Sequence, residues 1–305
     1  MNSYAYFDGV LSSSLPLPEL LPGHSEGNSL AMRIQAGKLP DHLKSPLLHA
    51  WTDSKGTVEL ELRGGNSCYR LTAPGIVSTE IDYTTNRLTV MALCDDEAMI
   101  RGQLLDQILP RIMCETSQLV LHASCVTKGG TTIAFTGDSG AGKSTLAAYF
   151  QVLGWKLIAD DCLKISVSDN EVSVCGAYPG LKLFADSSER LSSVHAVQLP
   201  TARHTDKRRT RQTTRQLTGH SLNAIIFLDP GASTLQIEQR RGADVLLEVF
   251  GQTFALNPGD LKATSDRLQD ARRLLETIPY SLTLSYLHNY DALPGIADKL
   301  LKYFR

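Results

Sequence analysis

Thr131-Thr132-Ile133-Ala134-Phe135-Thr136-Gly137-Asp138-Ser139-Gly140-Ala141-Gly142-Lys143-Ser144-Thr145 is the segment that constrains the rest of the sequence most. Its first six residues, rich in β-branched and aromatic side chains, predict a short strand. A glycine-rich turn follows. From Lys143 the apolar run Leu146-Ala147-Ala148-Tyr149-Phe150, with Val152 and Leu153, predicts a helix that Gly154 ends as the C′ residue. Gly137, Gly142, Lys143 and Ser144 match the G-x-x-x-x-G-K-[ST] spacing of a phosphate-binding loop. Glycines there let successive backbone N–H groups line an anion-sized concavity that side chains would obstruct. The helix start adds unpaired N–H groups and the positive end of its dipole. Lys143 can reach the terminal phosphates and the Ser144 hydroxyl can ligate Mg²⁺. Gly137 to Thr145 throughout, including Asp138, Ser139, Gly140 and Ala141, are the candidate nucleotide-binding residues.

The surrounding composition is that of an ordinary globular chain. It has 305 residues, 42% hydrophobic and 20% charged, with net charge −2, enough for one large domain or two smaller ones. A near-neutral balance argues against nucleic acid as an obligate partner. No run approaches a membrane span, and Met1-Asn2-Ser3-Tyr4 lacks the basic start of a signal peptide. No membrane association is expected. Cys68, Cys94, Cys114, Cys125, Cys162 and Cys175 are scattered without a C-x-x-C pair. They are expected as buried free thiols in a reducing cytoplasm.

Trp155-Lys156-Leu157-Ile158-Ala159-Asp160-Asp161-Cys162, a short apolar strand ending in paired aspartates, is the second informative stretch. Phosphoryl transfer needs one carboxylate to hold the metal and often another to accept the attacking hydroxyl's proton. Adjacent aspartates can divide those roles, and a dication offsets their repulsion. A solvated turn is the bland reading of the same pair. His122, within the expected buried strand Leu119–Val126, reads either as a core histidine or as a catalytic one. Lys182 reads as a phosphate contact or as the polar side of a strand. The run 202–215, carrying Arg203, Lys207, Arg208, Arg209, Arg211 and Arg215, reads as a solvated loop or as a lid over an anionic substrate.

Before the loop the signals are strands. One is expected near 3–11, followed by a loop through Leu15-Pro16-Leu17-Pro18-Glu19-Leu20-Leu21-Pro22. Segments at 31–35, 58–62, 68–71, 76–81 and 88–92 then predict a small antiparallel sheet with one buried face. Asp95 or Asp96 caps an expected helix to Cys114, bent or ended by Pro110. A boundary there separates a β-rich N-terminal domain, 1–115, from a second domain, 116–305. After the aspartates come a hairpin (163–175), a strand with a short helix near 187–194, strands at 221–229, 237–240 and 279–286, and helices at 242–250, 263–277 and 293–304.

Taken together, Leu121-His122-Ala123, Gly137-Asp138-Ser139-Gly140-Ala141-Gly142-Lys143-Ser144-Thr145 and Leu157-Ile158-Ala159-Asp160-Asp161 resemble the HPr-kinase-like P-loop kinases, related in fold to phosphoenolpyruvate carboxykinase. The resemblance runs from about Leu119 to the C-terminus. It implies an α/β fold, an HPr-kinase-like P-loop domain behind the β-rich one, with ATP and Mg²⁺ as cofactors. By the same resemblance Asp160 is the candidate base, Ser144 and Asp161 the candidate metal partners, and His122 and Lys143 lie near the phosphates. HPr kinases carry Glu where this chain has Thr145, and in place of their Glu-Ile-Arg-Gly-Leu-Gly-type signature Gly176-Ala177-Tyr178-Pro179-Gly180-Leu181-Lys182-Leu183-Phe184 occupies the comparable region. That stretch, the basic run and the β-rich N-terminal part are similar to homologues found with ribosomally made peptides, some of which phosphorylate the C-terminal serine of a lasso precursor. The implied partner is a peptide or protein carrying a serine hydroxyl. A small-metabolite kinase and a nucleotide-dependent switch stay open as alternatives, as does a homo-oligomer.

Overall fold

The computed structural model describes residues 1–23, 30–39, 45–115, 119–191, 196–202, 206–213 and 219–304. Eight strands form a mixed N-terminal sheet: β1 (Asn2–Tyr6), β2 (Gly9–Ser13), β3 (Leu30–Ala36), β4 (Leu47–Thr52), β5 (Val58–Gly65), β6 (Cys68–Ala73), β7 (Val77–Asp82) and β8 (Arg87–Ala92). Their order is β1-β2-β3-β8-β7-β6-β5-β4. The sheet is larger than the sequence predicts, and it is not purely antiparallel. β3 inserts between β2 and β8 and pairs parallel with both. The single opening strand is a hairpin that turns after Phe7, whose φ is 48°. β4, Leu47-Leu48-His49-Ala50-Trp51-Thr52, lacks clean alternation and escapes the pattern reading.

A broken helix follows: α1 (Glu97–Gln103), a π-helical turn over Leu104–Ile108, and α2 (Leu109–Met113). Asp96 caps it, accepting from the Met99 N–H at 3.0 Å. Pro110 neither ends the helix nor wastes a donor, since it falls at the start of α2. Leu104, Leu105, Ile108 and Ile112 share one apolar core with Tyr6, Ile34 and Leu62 of the sheet, and with Val120, Cys162, Tyr178 and Phe254 further along the chain. The Leu15–Pro22 segment packs into the same core through Leu17 and Leu20.

The rest is layered α/β. Its strands are β9 (Leu119–Leu121), β10 (Ala123–Lys128), β11 (Thr131–Thr136), β12 (Lys156–Ala159), β13 (Leu163–Val167), β14 (Val172–Gly176), β15 (Gly180–Phe184), β16 (Ala196–Leu199), β17 (Lys207–Gln212), β18 (His220–Ser221), β19 (Ala224–Pro230), β20 (Gln236–Gln239) and β21 (Tyr280–Tyr286). Between them lie α3 (Lys143–Val152), α4 (Ala185–Arg190), α5 (Ala243–Gly251), α6 (Leu261–Thr277) and, last, α7 (Leu293–Leu301). The central sheet has the order β12-β10-β11-β19-β21-β20, with β11, β19 and β21 parallel. Alternation along β11 sorts its two faces. Ile133 and Phe135 join the cluster of α3 and α7, while Ala134 joins that of β13, β14, α5 and α6.

The strand expected at 119–126 divides at His122. β9 pairs with β13 in a second sheet (β18-β14-β13-β9), and β10 pairs with β11 and β12. The His122 N–H leaves both ladders and donates to the Gln252 carbonyl at 2.8 Å. A third sheet, β15-β17-β16, holds Lys182. The six cysteines are free thiols, but only Cys125, Cys162 and Cys175 are buried; Cys68 is exposed and Cys94 and Cys114 are half-buried. No described helix is long and apolar enough to cross a membrane.

Gly176 is where the second sheet meets the central one, just before the segment that leads to Lys182. A Cβ there would sit 1.8 Å from the Ile158 carbonyl oxygen, two residues before Asp160. Gly176→Ala is therefore expected to cost about 2 kcal/mol by overpacking. In a thermal melt this reads as a Tm lower by roughly 4–8 °C, and an unchanged Tm would refute the close approach.

Candidate active site

The glycine-rich loop leaves the end of β11 and runs into α3 at Lys143. Gly137, Gly140 and Gly142 have φ of 142°, 85° and 99°, a region that favours glycine. Lys143, 6% exposed, folds back so that its Nζ donates to the carbonyls of Gly137 (2.7 Å) and Asp138 (3.1 Å). Burial lowers its pKa, opposed by Asp161 and Asp160. Tyr286, at the end of β21, donates its hydroxyl to the Ala141 carbonyl at 2.5 Å and so braces the loop from outside.

Asp160 follows β12 and is 2% exposed. Its Oδ1 accepts from Ser124 Oγ of β10 at 2.5 Å and from Ser144 Oγ of α3 at 2.9 Å. Its Oδ2 accepts from the Lys182 backbone N–H of β15 at 3.0 Å. Burial and the neighbouring Asp161 charge push its pKa up to about 6, against the lowering effect of those three donors. Asp161 takes a left-handed backbone, φ 70°, a conformation costly for a residue other than glycine. This turns its carboxylate away from Asp160. Oδ1 lies 3.4 Å from His122 Nε2 and Oδ2 lies 3.0 Å from Lys182 Nζ. Burial works to raise its pKa, but Lys182 and His122 bring it well below the usual carboxylate range.

Lys182 is shared with a second carboxylate. Asp106, in the π-helical turn, accepts from Lys182 Nζ, from Arg209 Nη2 at 2.5 Å and from the Tyr178 hydroxyl at 2.5 Å. Desolvation opposes the charge on Lys182, yet Asp106 and Asp161 raise its pKa overall.

These groups surround a cleft of about 730 Å³. Ser139, Gly140 and Gly142 through Thr145 line one wall. Asp161, His122, Lys182, Lys207 and Arg209 line another, and Gly102, Gln103 and Asp106 of the broken helix a third. Gly137, Asp138 and Ala141 complete the loop outside this lining, and Asp160 lies behind Ser144. His122, Lys143, Ser144, Asp160 and Asp161, read separately from the sequence, thus stand together.

The basic run differs from the expected loop. Lys207 to Gln212 is strand β17, paired with β15 and β16. Its period of two sends Lys207 and Arg209 toward the cleft, whereas Arg208 pairs with Glu189 at 3.0 Å on the exposed side. Arg211 donates to the Leu20 carbonyl at 2.9 Å. Arg203 and Arg215 lie outside the described residues. Sequence reasoning missed Ser124, Tyr178, Tyr286 and Asp106. For Asp106 a signal was present, an acid inside the otherwise apolar Leu104-Leu105-Asp106-Gln107-Ile108-Leu109.

No family model matches the chain, and no curated protein matches it. Among solved structures, the HPr(Ser) kinase/phosphatase from Coxiella burnetii is similar, with 12% identity and a TM-score of 0.32 over 61% of this chain and 95% of that chain. At that distance the likeness assigns no activity.

A Cβ at Gly142 would meet Tyr286 Oη at 2.6 Å, on a backbone with φ of 99°. Gly142→Ala is expected to lose about 1–3 kcal/mol from backbone strain and more from the clash. Adding Tyr286→Phe should restore the clash part alone. Chemical denaturation of both single variants and the double variant checks this, and a Gly142→Ala change that costs as much in the Tyr286→Phe background as in the wild type would show that Tyr286 Oη does not crowd the loop at Gly142.

Proposed function

We propose that the protein is a kinase that moves the γ-phosphoryl group of ATP to a serine-type hydroxyl. The observation that carries it is the hydrogen bond of Ser144, at the helix end of a glycine-rich anion cradle, to Asp160, with Asp161 beside it facing the cleft. One hydroxyl and two carboxylates form a hard oxygen donor set of the kind Mg²⁺ takes together with nucleotide phosphates. Ser144 and Asp161 would hold the ion, which offsets phosphate charge when bound. Residues 137–145 bind the phosphates through backbone N–H groups and Lys143.

Asp160 is the base in this reading. Its Oδ1 is shared by two hydroxyls, so withdrawal of Ser144 leaves a lone pair for the acceptor's proton. Its raised proton affinity suits that task. The acceptor oxygen then bonds to the γ-phosphorus, the bond to the β–γ bridging oxygen breaks, and ADP leaves. Asp161, kept ionised by Lys182 and His122, suits a metal partner. The reverse division has one observation in its favour, since Asp160 rather than Asp161 touches Ser144.

The resemblances in the sequence favour a ribosomally made peptide of the lasso-precursor kind as acceptor, with residues 1–115 and 116–305 as the two domains. The wall contributed by the N-terminal helix fits a site that both halves complete. A small hydroxylated metabolite is the competing acceptor.

Mass spectrometry of the protein with ATP, Mg²⁺ and a serine-ending precursor peptide should show added phosphate, absent with Lys143→Ala. Asp160→Asn should bind Mg²⁺-ATP but transfer at least about 100-fold more slowly. Asp161→Asn should lose the Mg²⁺ dependence of nucleotide binding. Exchanged phenotypes would establish the reverse division, wild-type transfer by both variants would overturn the roles given to the two aspartates, and no added phosphate with the wild type would end the kinase reading.

A further inference from the structure

Asp106 comes from the N-terminal half of the chain, yet it sits among the groups of the cleft. It lies in the π-helical turn Leu104–Ile108 of an otherwise α-helical segment, a kind of distortion frequent at functional sites. Its side chain is 6% exposed and accepts from Lys182, Arg209 and Tyr178. Lys182 and Arg209 are direct partners across the β15–β17 ladder, and like charges placed opposite each other repel. One oxygen, Asp106 Oδ2, receives both cations. They are thereby drawn to one point on the cleft wall, with Lys182 Nζ also 3.0 Å from Asp161.

Arg209 is not saturated by this arrangement. Its Nη1 is buried without a hydrogen-bond partner among the described residues, and Glu19 Oε1 stands 4.0 Å from it. A purely structural ion pair would be better served by a single cation with every donor used. Two cations on one carboxylate leave positive charge facing the cleft beside the aspartate pair, and fixed charge of that kind stabilises a transferring phosphoryl group.

We propose that Asp106 is a positioning residue, which holds Lys182 and Arg209 side by side so that both meet the charge developing on the transferred group. This rests on the kinase reading above. It gives the N-terminal half a share in the chemistry, because Asp106 is, among the described residues, the one carboxylate that both cations share.

Calorimetric titration of the full chain with Mg²⁺-ADP, with and without aluminium fluoride as a mimic of the transferring group, tests it. The wild type should bind tighter with fluoride present. Asp106→Asn should lose about tenfold or more of that gain, with ADP affinity alone held within about twofold. Equal weakening of both titrations in a folded Asp106→Asn would mean a structural role and would overturn the assignment. If that variant does not fold, Tyr178→Phe decides, since it keeps every charge and removes one bond to Asp106. A selective loss of about two- to fivefold in the fluoride gain supports the assignment, and no loss or a parallel loss overturns it. A wild type that binds ADP without any fluoride gain overturns the phosphoryl-transfer reading, and the role of Asp106 with it. Retained fluoride gain in the wild type and in both variants overturns the role of Asp106 alone.

Discussion

A carboxylate buried as deeply as that of Asp160 is unfavourable in a protein unless donors replace the water it has lost. Here the donors come from three different elements: Ser124 of β10, Ser144 of α3 and the backbone of Lys182 on β15. Each must be in place for the other two to be useful. The helix cannot slide along the central sheet without taking Ser144 away, and the third sheet cannot move without exposing an N–H. The glycine-rich loop, which lies between β11 and α3, inherits its position from that constraint. The Tyr286 hydroxyl on Ala141 and the Lys143 ammonium on the loop's own carbonyls then fix its shape.

The N-terminal sheet enters the same network through packing. Leu104, Leu105 and Ile108 belong to one buried core with Ile34 and Leu62 of the sheet and with Cys162 and Tyr178 of the second half. The core that folds the N-terminal sheet therefore also sets the height of the π-helical turn over the cleft. Arg101 on the same helix pairs with Glu19 at 2.9 Å, which ties the proline-rich segment to it. A break in this packing would reach the site through Asp106 without touching the glycine loop.

The parts of this arrangement legible in the sequence are those written in consecutive residues. The strand, loop and helix around Gly137–Thr145 and the aspartates after Ile158 announce themselves by composition and spacing. What escaped is set by partners distant along the chain. Nothing local tells that the strand through His122 changes sheets there, because both halves are equally apolar. β17 reads as a loop since its charges alternate between a cleft and solvent, and only the neighbouring strands reveal the alternation. On a regular helix Asp106 would point about 100° away from Leu105. Whether that side meets water or another wall depends on β15 and β17, which lie far downstream.

The aspartate pair shows how opposite environments are given to chemically identical neighbours. The left-handed backbone at Asp161 turns its side chain toward His122 and Lys182, while Asp160 faces inward to hydroxyls and one N–H. Asp160 consequently binds its proton more tightly in the fold than in the unfolded chain. Its ionisation removes stability as pH rises from the ordinary carboxylate range through about 6. Asp161 behaves in the reverse sense, because its folded pKa is depressed. Its contribution is complete above the unfolded value and is lost only as pH falls through the lower folded one. At neutral pH the first aspartate thus strains the fold and the second supports it. Groups whose proton affinities are driven apart in this way are those best able to take different parts in one reaction. The strain at Asp160 is tolerable because Asp161, one residue on, is held by Lys182 and His122.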